Sequence, residues 1–133
     1  MPDVNYLAVL LAALSSFVIG GLWYSPLLFQ KPWIAASGQS KEHLSSGNPA
    51  IVFGGAFLLN LAAAFVLAMW LAERGTDVQD AASAGFAVGL GLVATSIGVI
   101  YLFERRPLAL WLVNGGYAVV LFTAMGAIIG AMG

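Results

Sequence analysis

Few side chains in this sequence could do chemistry, and the most distinctive of them form one block of uncharged residues. The block follows the first long apolar run and consists of four residues: Trp23, Tyr24, Ser25 and Pro26. Proline lacks a backbone N–H and pushes the preceding residue out of helical geometry, so a helix should end here. The hydroxyl groups of Tyr24 and Ser25 could bond the backbone groups freed by that break, or they could form one wall of a ligand pocket.

Two asparagines, Asn60 and Asn114, lie deeper in apolar sequence than any other strongly polar side chain. A buried amide in lipid needs a hydrogen-bond partner, and interhelical bonds of this kind are worth about 0.6 kcal/mol on average. The two side chains could bond each other or nearby backbone carbonyls and so hold helices together. Alternatively, they could bind a substrate or an ion within the bundle.

A charged turn separates the last two apolar runs and contains Glu104, Arg105 and Arg106. A basic turn of this kind is typical of a loop held at the cytoplasmic surface, in contact with lipid phosphates. Alternatively, one of the two arginines could gate an anion path, with Glu104 as its partner.

The residue types that are missing argue against most catalytic and cofactor chemistry. The chain has no cysteine and a single histidine, His43, which cannot by itself make a credible zinc or haem site. No Asp, Glu, Lys, Arg or His lies in the middle of an apolar run, which argues against a proton-coupled carrier or an intramembrane protease. We therefore expect no metal, no cofactor and no enzyme; an enzyme of the membrane surface would have to use Tyr24, His43 and Glu104.

The elements that carry these residues follow from composition. Hydrophobic residues make up 61% of the 133 residues and charged residues only 8%, whereas a soluble domain has about 25% charged residues. The charged side chains fall in short clusters, and each of the four uncharged runs between them is long enough for one membrane crossing of roughly 20 residues. The sequence therefore predicts an all-α, polytopic membrane protein with a single domain of four transmembrane helices. Membrane lipids are expected partners; nucleic acid is not, because there is no basic stripe.

We predict spans at about residues 4–22, 49–72, 81–103 and 107–132, and an amphipathic interfacial segment at about 27–35. Prolines suit the first turns of the second and fourth spans, and Asp77 and Asp80 suit the start of the third. The N-terminus offers only Asp3 where a secretion signal needs basic residues, so the first span should be retained. Lys and Arg are concentrated in the first and third loops, which predicts cytoplasmic loops there and both termini outside.

Small residues recur at helical spacing within the runs. Helices in lipid associate through close packing and hydrogen bonds, because the surrounding lipid is as apolar as they are. Six glycines are predicted to pack helices together: Gly20, Gly85, Gly89, Gly98, Gly126 and Gly130. Glycines could instead line a path for a ligand. The first and third runs also end alike, and the second and fourth each carry an asparagine, which indicates two repeated helical hairpins.

Several stretches together resemble one known family. They are residues 4–9, residues 21–29 with the Trp-Tyr-Ser-Pro block, the turn at 104–106, and the Asn-Gly-Gly-Tyr sequence at 114–117. Over nearly its whole length the chain resembles the uncharacterised bacterial membrane family catalogued as domain of unknown function 1761. The resemblance implies a four-helix integral protein of the bacterial inner membrane, and it implies no reaction, substrate or established site residue.

Two functions are compatible with this sequence. The abundance of small-residue faces and the lack of a catalytic set favour a module that acts through helix association, as a homo-oligomer or beside a membrane-protein partner. The alternative is a small transporter or channel for a neutral or weakly polar solute, with a path lined by Asn60, Asn114, Ser96 and Thr95.

Overall fold

Five helices make up the part of the chain that the computed structural model describes, namely residues 4–39, 47–74 and 77–132. The helices are α1 (Tyr6–Trp23), α2 (Gln30–Ser37), α3 (Pro49–Arg74), α4 (Val78–Glu104) and α5 (Leu108–Met132). No strand occurs in these ranges. All but the short α2 are long and apolar enough to cross a membrane, so the predicted fold class of a four-span, all-α membrane protein is confirmed. His43 lies outside the described residues.

Polar side chains set where the long helices begin. The Asn5 carboxamide oxygen accepts a hydrogen bond from the Ala8 backbone N–H (3.1 Å), and a carboxylate oxygen of Asp77 accepts one from the Asp80 N–H (2.8 Å). Both bonds satisfy N–H groups that a first helical turn leaves without partners. Because Asp77 is the cap, α4 begins at Val78, three residues before the predicted start at 81.

The Trp-Tyr-Ser-Pro block ends α1 and turns the chain back toward α2. The Ser25 hydroxyl donates to the Leu22 carbonyl (2.6 Å), and the Ser25 carbonyl accepts from the backbone N–H groups of Leu28 (3.0 Å) and Gln30 (3.2 Å). These bonds supply partners for backbone groups at a helix end, as expected where water is scarce. The short helix that follows runs from residue 30 to 37 rather than over the predicted 27–35, because residues 24–29 belong to the turn.

Close packing at one end of the molecule joins all four long helices. The buried core there is built largely from alanine and leucine, with Met125 fully enclosed. Its members come from the start of α1, the end of α3, the start of α4 and the end of α5: Ala8, Val9, Ala12, Ala64, Leu67, Ala68, Leu71, Ala81, Leu121, Met125 and Ile129. The Asn5 amide also donates to the Met132 carbonyl (2.9 Å), which ties the two terminal helix ends together.

The predicted packing glycines lie at contacts within the chain. Four of them let α4 and α5 meet backbone to backbone; a Cβ at Gly89 would lie 2.9 Å from the Ala118 carbonyl oxygen, and one at Gly85 would overlap the Phe122 carbonyl. The remaining two face aromatic rings of α5. These six residues are Gly20, Gly85, Gly89, Gly98, Gly126 and Gly130.

The helices diverge away from the packed end. α1 packs along α5, α3 packs on α1, and α4 packs on α5, but α3 and α4 make at most slight contact with each other. The two hairpins, α1 with α3 and α4 with α5, are therefore not related by symmetric packing, since a two-fold axis would make the α3–α4 contact as extensive as the α1–α5 contact. Similarity within each hairpin stays a prediction that their superposition would test.

Candidate functional site

A cavity of about 1280 Å³ opens where the four long helices diverge, and α2 lies at one end of it. Ligand pockets commonly measure about 300–1,000 Å³, so this one is large for a drug-sized molecule. Its walls come from all five helices: residues 16, 17, 20, 21 and 24 of α1 and its cap, 30, 33 and 34 of α2, 52, 53, 56 and 60 of α3, 93, 97 and 101 of α4, and 114, 117, 118, 121 and 122 of α5.

One chain of hydrogen bonds crosses the cavity wall near the α2 end. The Tyr24 hydroxyl donates to the amide oxygen of Asn114 (2.6 Å), and the Asn114 amide donates to the Tyr101 hydroxyl oxygen (2.8 Å). Because Tyr24 caps α1, Tyr101 belongs to α4 and Asn114 to α5, this chain joins three helices. The Tyr101 hydroxyl hydrogen has no acceptor among the described residues.

A second group of hydrogen bonds lies deeper, near the middle of α3. The Asn60 amide donates to the Ser16 hydroxyl oxygen (3.0 Å), and the Tyr117 hydroxyl donates to the Ser16 carbonyl (3.3 Å). The Tyr117 and Tyr24 rings are in contact, with centroids 5.4 Å apart, so the two groups of bonds are continuous. We call the whole set the polar strip: Ser16, Tyr24, Asn60, Tyr101, Asn114 and Tyr117.

The cavity wall is mainly apolar and carries polar groups without charge. Every wall residue among those described is apolar, an amide, a hydroxyl, an indole or a glycine, and none carries a formal charge. No group of three or more potential metal-ligating residues occurs in the described ranges. Such a wall can exchange hydrogen bonds with a neutral molecule, but it offers no carboxylate or imidazole for acid–base chemistry.

The structure brings three of the six candidate pocket residues to the cavity, Tyr24, Asn60 and Asn114. The other three belong to the turn that supports it. Trp23 turns its indole N–H to the Val113 carbonyl (2.9 Å) and packs its ring on Phe29, while Ser25 and Pro26 shape the end of α1.

The two asparagines do not bond each other, although that pairing was one of the alternatives left open by the sequence. Asn60 bonds α1 through Ser16, whereas Asn114 bonds Tyr24 and Tyr101. Asn60 lies near the middle of α3, and Asn114 lies within the first two turns of α5. The two amides therefore occupy different depths in the bundle, and each uses a nearby hydroxyl instead.

The charged turn lies outside the cavity walls. The Arg106 guanidinium pairs with the Glu104 carboxylate (3.1 Å) and donates to the Ser37 carbonyl at the end of α2 (3.3 Å). Arg105 adopts the left-handed conformation (φ 58°) that lets the chain turn between α4 and α5. Arg106 thus ties α2 to this turn, and neither Arg105 nor Arg106 is among the described residues that line the cavity.

A widened segment of α4 meets the cavity at Val93. Residues Gly89–Ala94 form a π-helical turn, a feature that is frequent at functional sites. The Trp111 indole N–H donates to the Ala94 carbonyl (2.8 Å). The indole ring lies over Gly98, where a Cβ would be 2.9 Å from the indole nitrogen. Gly98 is therefore the residue that lets α5 reach the carbonyl at the end of this turn.

Three members of the polar strip were not among the candidate site residues: Ser16, Tyr101 and Tyr117. A signal for Ser16 exists, since Ser16, Gly20 and Tyr24 recur every four residues and so share one face of α1. Tyr117 follows Asn114 by three residues, which also places both on one face of α5. Tyr101 had no such signal, because an aromatic residue near a span end is usual at a membrane interface.

Comparison with known proteins identifies a family for this chain and adds no activity. No significant match was found among curated proteins or among solved structures. Residues 7–130 match the sequence profile of one protein family, which covers nearly all of the four spans. The chain therefore belongs to the family described as "Protein of unknown function (DUF1761)".

Proposed function

We propose that this membrane protein binds a neutral, weakly polar molecule in the cavity between its helices and acts as a small transporter or channel for it. The polar strip carries the proposal, because six uncharged polar residues from four helices line or support a large cavity in an apolar bundle. Polar side chains within a membrane span are expensive and are commonly functional. We assign no catalysis, since the strip contains no carboxylate, imidazole or amine.

The small-residue faces pack helices against one another within the chain, and this favours the proposed function over association. The glycines that motivated association pack α4 on α5, or sit against Tyr117 and Trp111 of the same chain. Those faces are therefore already occupied within one molecule. The remaining support for association comes from Gly54, Gly55 and Gly91, where an added Cβ would meet no neighbouring atom within 4 Å.

A homo-oligomer or a complex with another membrane protein is therefore our second candidate. The open glycines on α3 and α4 would let a further helix approach closely, as small residues do in membrane interfaces. Crosslinking in native membranes should then capture a dimer or a larger complex. Capture of monomer alone, under conditions that crosslink a known oligomer, would count against it.

We further propose that the end with α2 faces the cytoplasm of a bacterial inner membrane. The Arg106–Ser37 bond joins the first and third connections, and the Asn5–Met132 bond joins the start of α1 to the end of α5 at the opposite end. Lys31, Arg105 and Arg106 belong to the first of these ends, which supports a cytoplasmic location by the positive-inside rule.

Native mass spectrometry of the protein released from nanodiscs tests the proposed function. We expect a retained small molecule of defined mass, lost from the Asn60→Leu/Asn114→Leu double variant because the variant cannot hydrogen-bond it. Thr95→Val is the matched control, since the Thr95 hydroxyl bonds only its own helix and lies outside the cavity.

Solute flux through proteoliposomes gives the second readout, with glycerol and urea as neutral probes. The function is contradicted if neither a retained molecule nor flux responds to loss of both asparagines while the folded fraction is unchanged. A response to Thr95→Val equal to that of the double variant would also contradict it, because that change leaves the cavity intact.

A further inference from the structure

Two helices that line the cavity, α3 and α4, make at most slight contact with each other and so leave a gap on one side of it. The contacts of α1 with α3, of α1 with α5 and of α4 with α5 are much more extensive. The wall residues beside this gap include apolar side chains, such as Phe53 on α3 and Ile97 on α4. In a bilayer such a gap faces acyl chains, because lipid surrounds the helices at that depth.

Described residues line the cavity toward both ends of the bundle. At the packed end the alanine-rich core joins all four long helices. At the other end α2 contributes Gln30, Trp33 and Ile34 to the wall, and the Trp33 ring packs edge-on against Tyr24 with centroids 5.7 Å apart. Arg106 holds the far end of α2 through the Ser37 carbonyl. The gap between α3 and α4 is therefore the side of the cavity at which the described helices pack least.

The polar strip has unused hydrogen-bonding capacity on the two helices that border this gap. The Tyr101 hydroxyl hydrogen has no acceptor, and the Asn60 amide oxygen has no donor, within the described part of the chain. No buried side-chain nitrogen or oxygen lacks a partner in that part, so the free Asn60 oxygen is accessible rather than sealed in the packing. A ligand oxygen could accept from Tyr101, and a ligand hydroxyl could donate to Asn60.

Charge decides which head group suits this wall. A phosphate or ammonium head drawn into the bundle would lose its hydration and find no counter-charge among the described wall residues. A hydroxyl or carbonyl head would exchange water for the tyrosine and asparagine partners at little net cost. The apolar wall residues of α3 and α4, by contrast, suit hydrocarbon.

From these observations we infer that the ligand is a bilayer-dissolved amphiphile with an uncharged hydroxyl- or carbonyl-bearing head, which enters sideways between α3 and α4 and places that head on the polar strip. The inference rests on the proposed function and deepens it by naming the ligand class and the entry route. A cavity of about 1280 Å³, above the usual range for drug-sized ligands, fits a molecule with a hydrocarbon tail.

Photo-crosslinking in proteoliposomes tests the inference. The probes are a diacylglycerol and a phosphatidylglycerol that carry the same photoreactive acyl chain, each present at the same low mole fraction. We expect the diacylglycerol to label cavity-wall peptides of α3 and α4 at least fivefold more than the phosphatidylglycerol. Ala56→Trp, which fills the cavity from α3, should remove this labelling.

Ala62→Trp is the matched control, because Ala62 is exposed on the same helix and lies outside the cavity wall. It should leave the labelling unchanged. Equal labelling by the two lipids, or labelling that survives Ala56→Trp in a folded variant, would overturn the inference. If neither lipid labels the wall but glycerol or urea flux still depends on Asn60 and Asn114, the inference fails and the proposed function stands. If the flux and any retained molecule are also insensitive to the asparagines, both fail.

Discussion

At the scale of single residues, Asn114 holds the site together because it is both an acceptor and a donor. Its amide oxygen accepts from Tyr24 and its amide nitrogen donates to Tyr101, so one side chain connects α5 to the end of α1 and to α4. A leucine of similar size could fill the space but would leave both hydroxyls without this partner. Such pairs in membrane bundles are individually weak, so the value of Asn114 lies in fixing two aromatic side chains at once.

Tyr24→Phe should lower the free energy of unfolding by about 0.6 kcal/mol, and by no more than about 1.7 kcal/mol, the range measured for interhelical hydrogen bonds in lipid. The loss should vanish when Asn114 is already leucine, because the partner is then absent. Reversible unfolding in mixed micelles, followed through a double-mutant cycle, measures both values. Tyr6→Phe is the control: the Tyr6 side chain is 69% exposed, and its hydroxyl has no partner in the described residues. An equal loss for Tyr24→Phe in both backgrounds would contradict the bond.

At the scale of elements, the α4–α5 pair is the tightest contact in the molecule, and glycine makes it possible. Gly85 and Gly89 of α4 face the backbone of α5, and Gly126 and Gly130 of α5 face the first turns of α4. Two helices in lipid gain stability by approaching until their backbones touch, since dispersion forces fall off steeply with distance. The spacing of four residues between members of each pair keeps both on one helix face.

Gly85→Ala should destabilise the protein by about 1–3 kcal/mol, because the new methyl group would overlap the Phe122 carbonyl and force the helices apart. Gly91→Ala, on the same helix, should be neutral or stabilising by up to about 1 kcal/mol, since the site is open and alanine favours helix. Unfolding in mixed micelles compares the two variants directly. Equal stability of both would show that the α4–α5 contact is looser than described.

At the scale of the whole molecule, the bundle has a tightly packed end and an end that holds the cavity. Small side chains bring four helices together at the packed end, whereas aromatic side chains and α2 line the cavity at the other end. The first and third connections meet at the cavity end, through Arg106 and Ser37. The cavity and the Arg105–Arg106 turn therefore lie toward the same end of the bundle.

Two exposed glutamines at opposite ends test this topology, and the chain has no native cysteine to interfere. In intact cells a membrane-impermeant maleimide should label Gln79→Cys, near the start of α4, and should label Gln39→Cys, after α2, only once the membrane is permeabilised. Neither change alters a charge, so the Lys and Arg distribution that orients the protein is preserved. The reverse pattern would invert the orientation, and labelling of both in intact cells would contradict a four-span topology.

The sequence by itself determined that four helices form and roughly where each begins and ends. This was possible because the lengths of the uncharged runs, and helix-end residues such as Asp77 and Pro26, act locally through the cost of exposing charge or backbone to lipid. It also singled out Tyr24, Asn60 and Asn114, since a polar side chain within an apolar run needs a partner wherever that partner lies. Only the tertiary structure decided which partners they have. Asn60 meets Ser16, Asn114 meets two tyrosines, and α3 separates from α4, because the order and tilt of packed helices depend on contacts between residues far apart in the chain, such as Gly85 with Phe122.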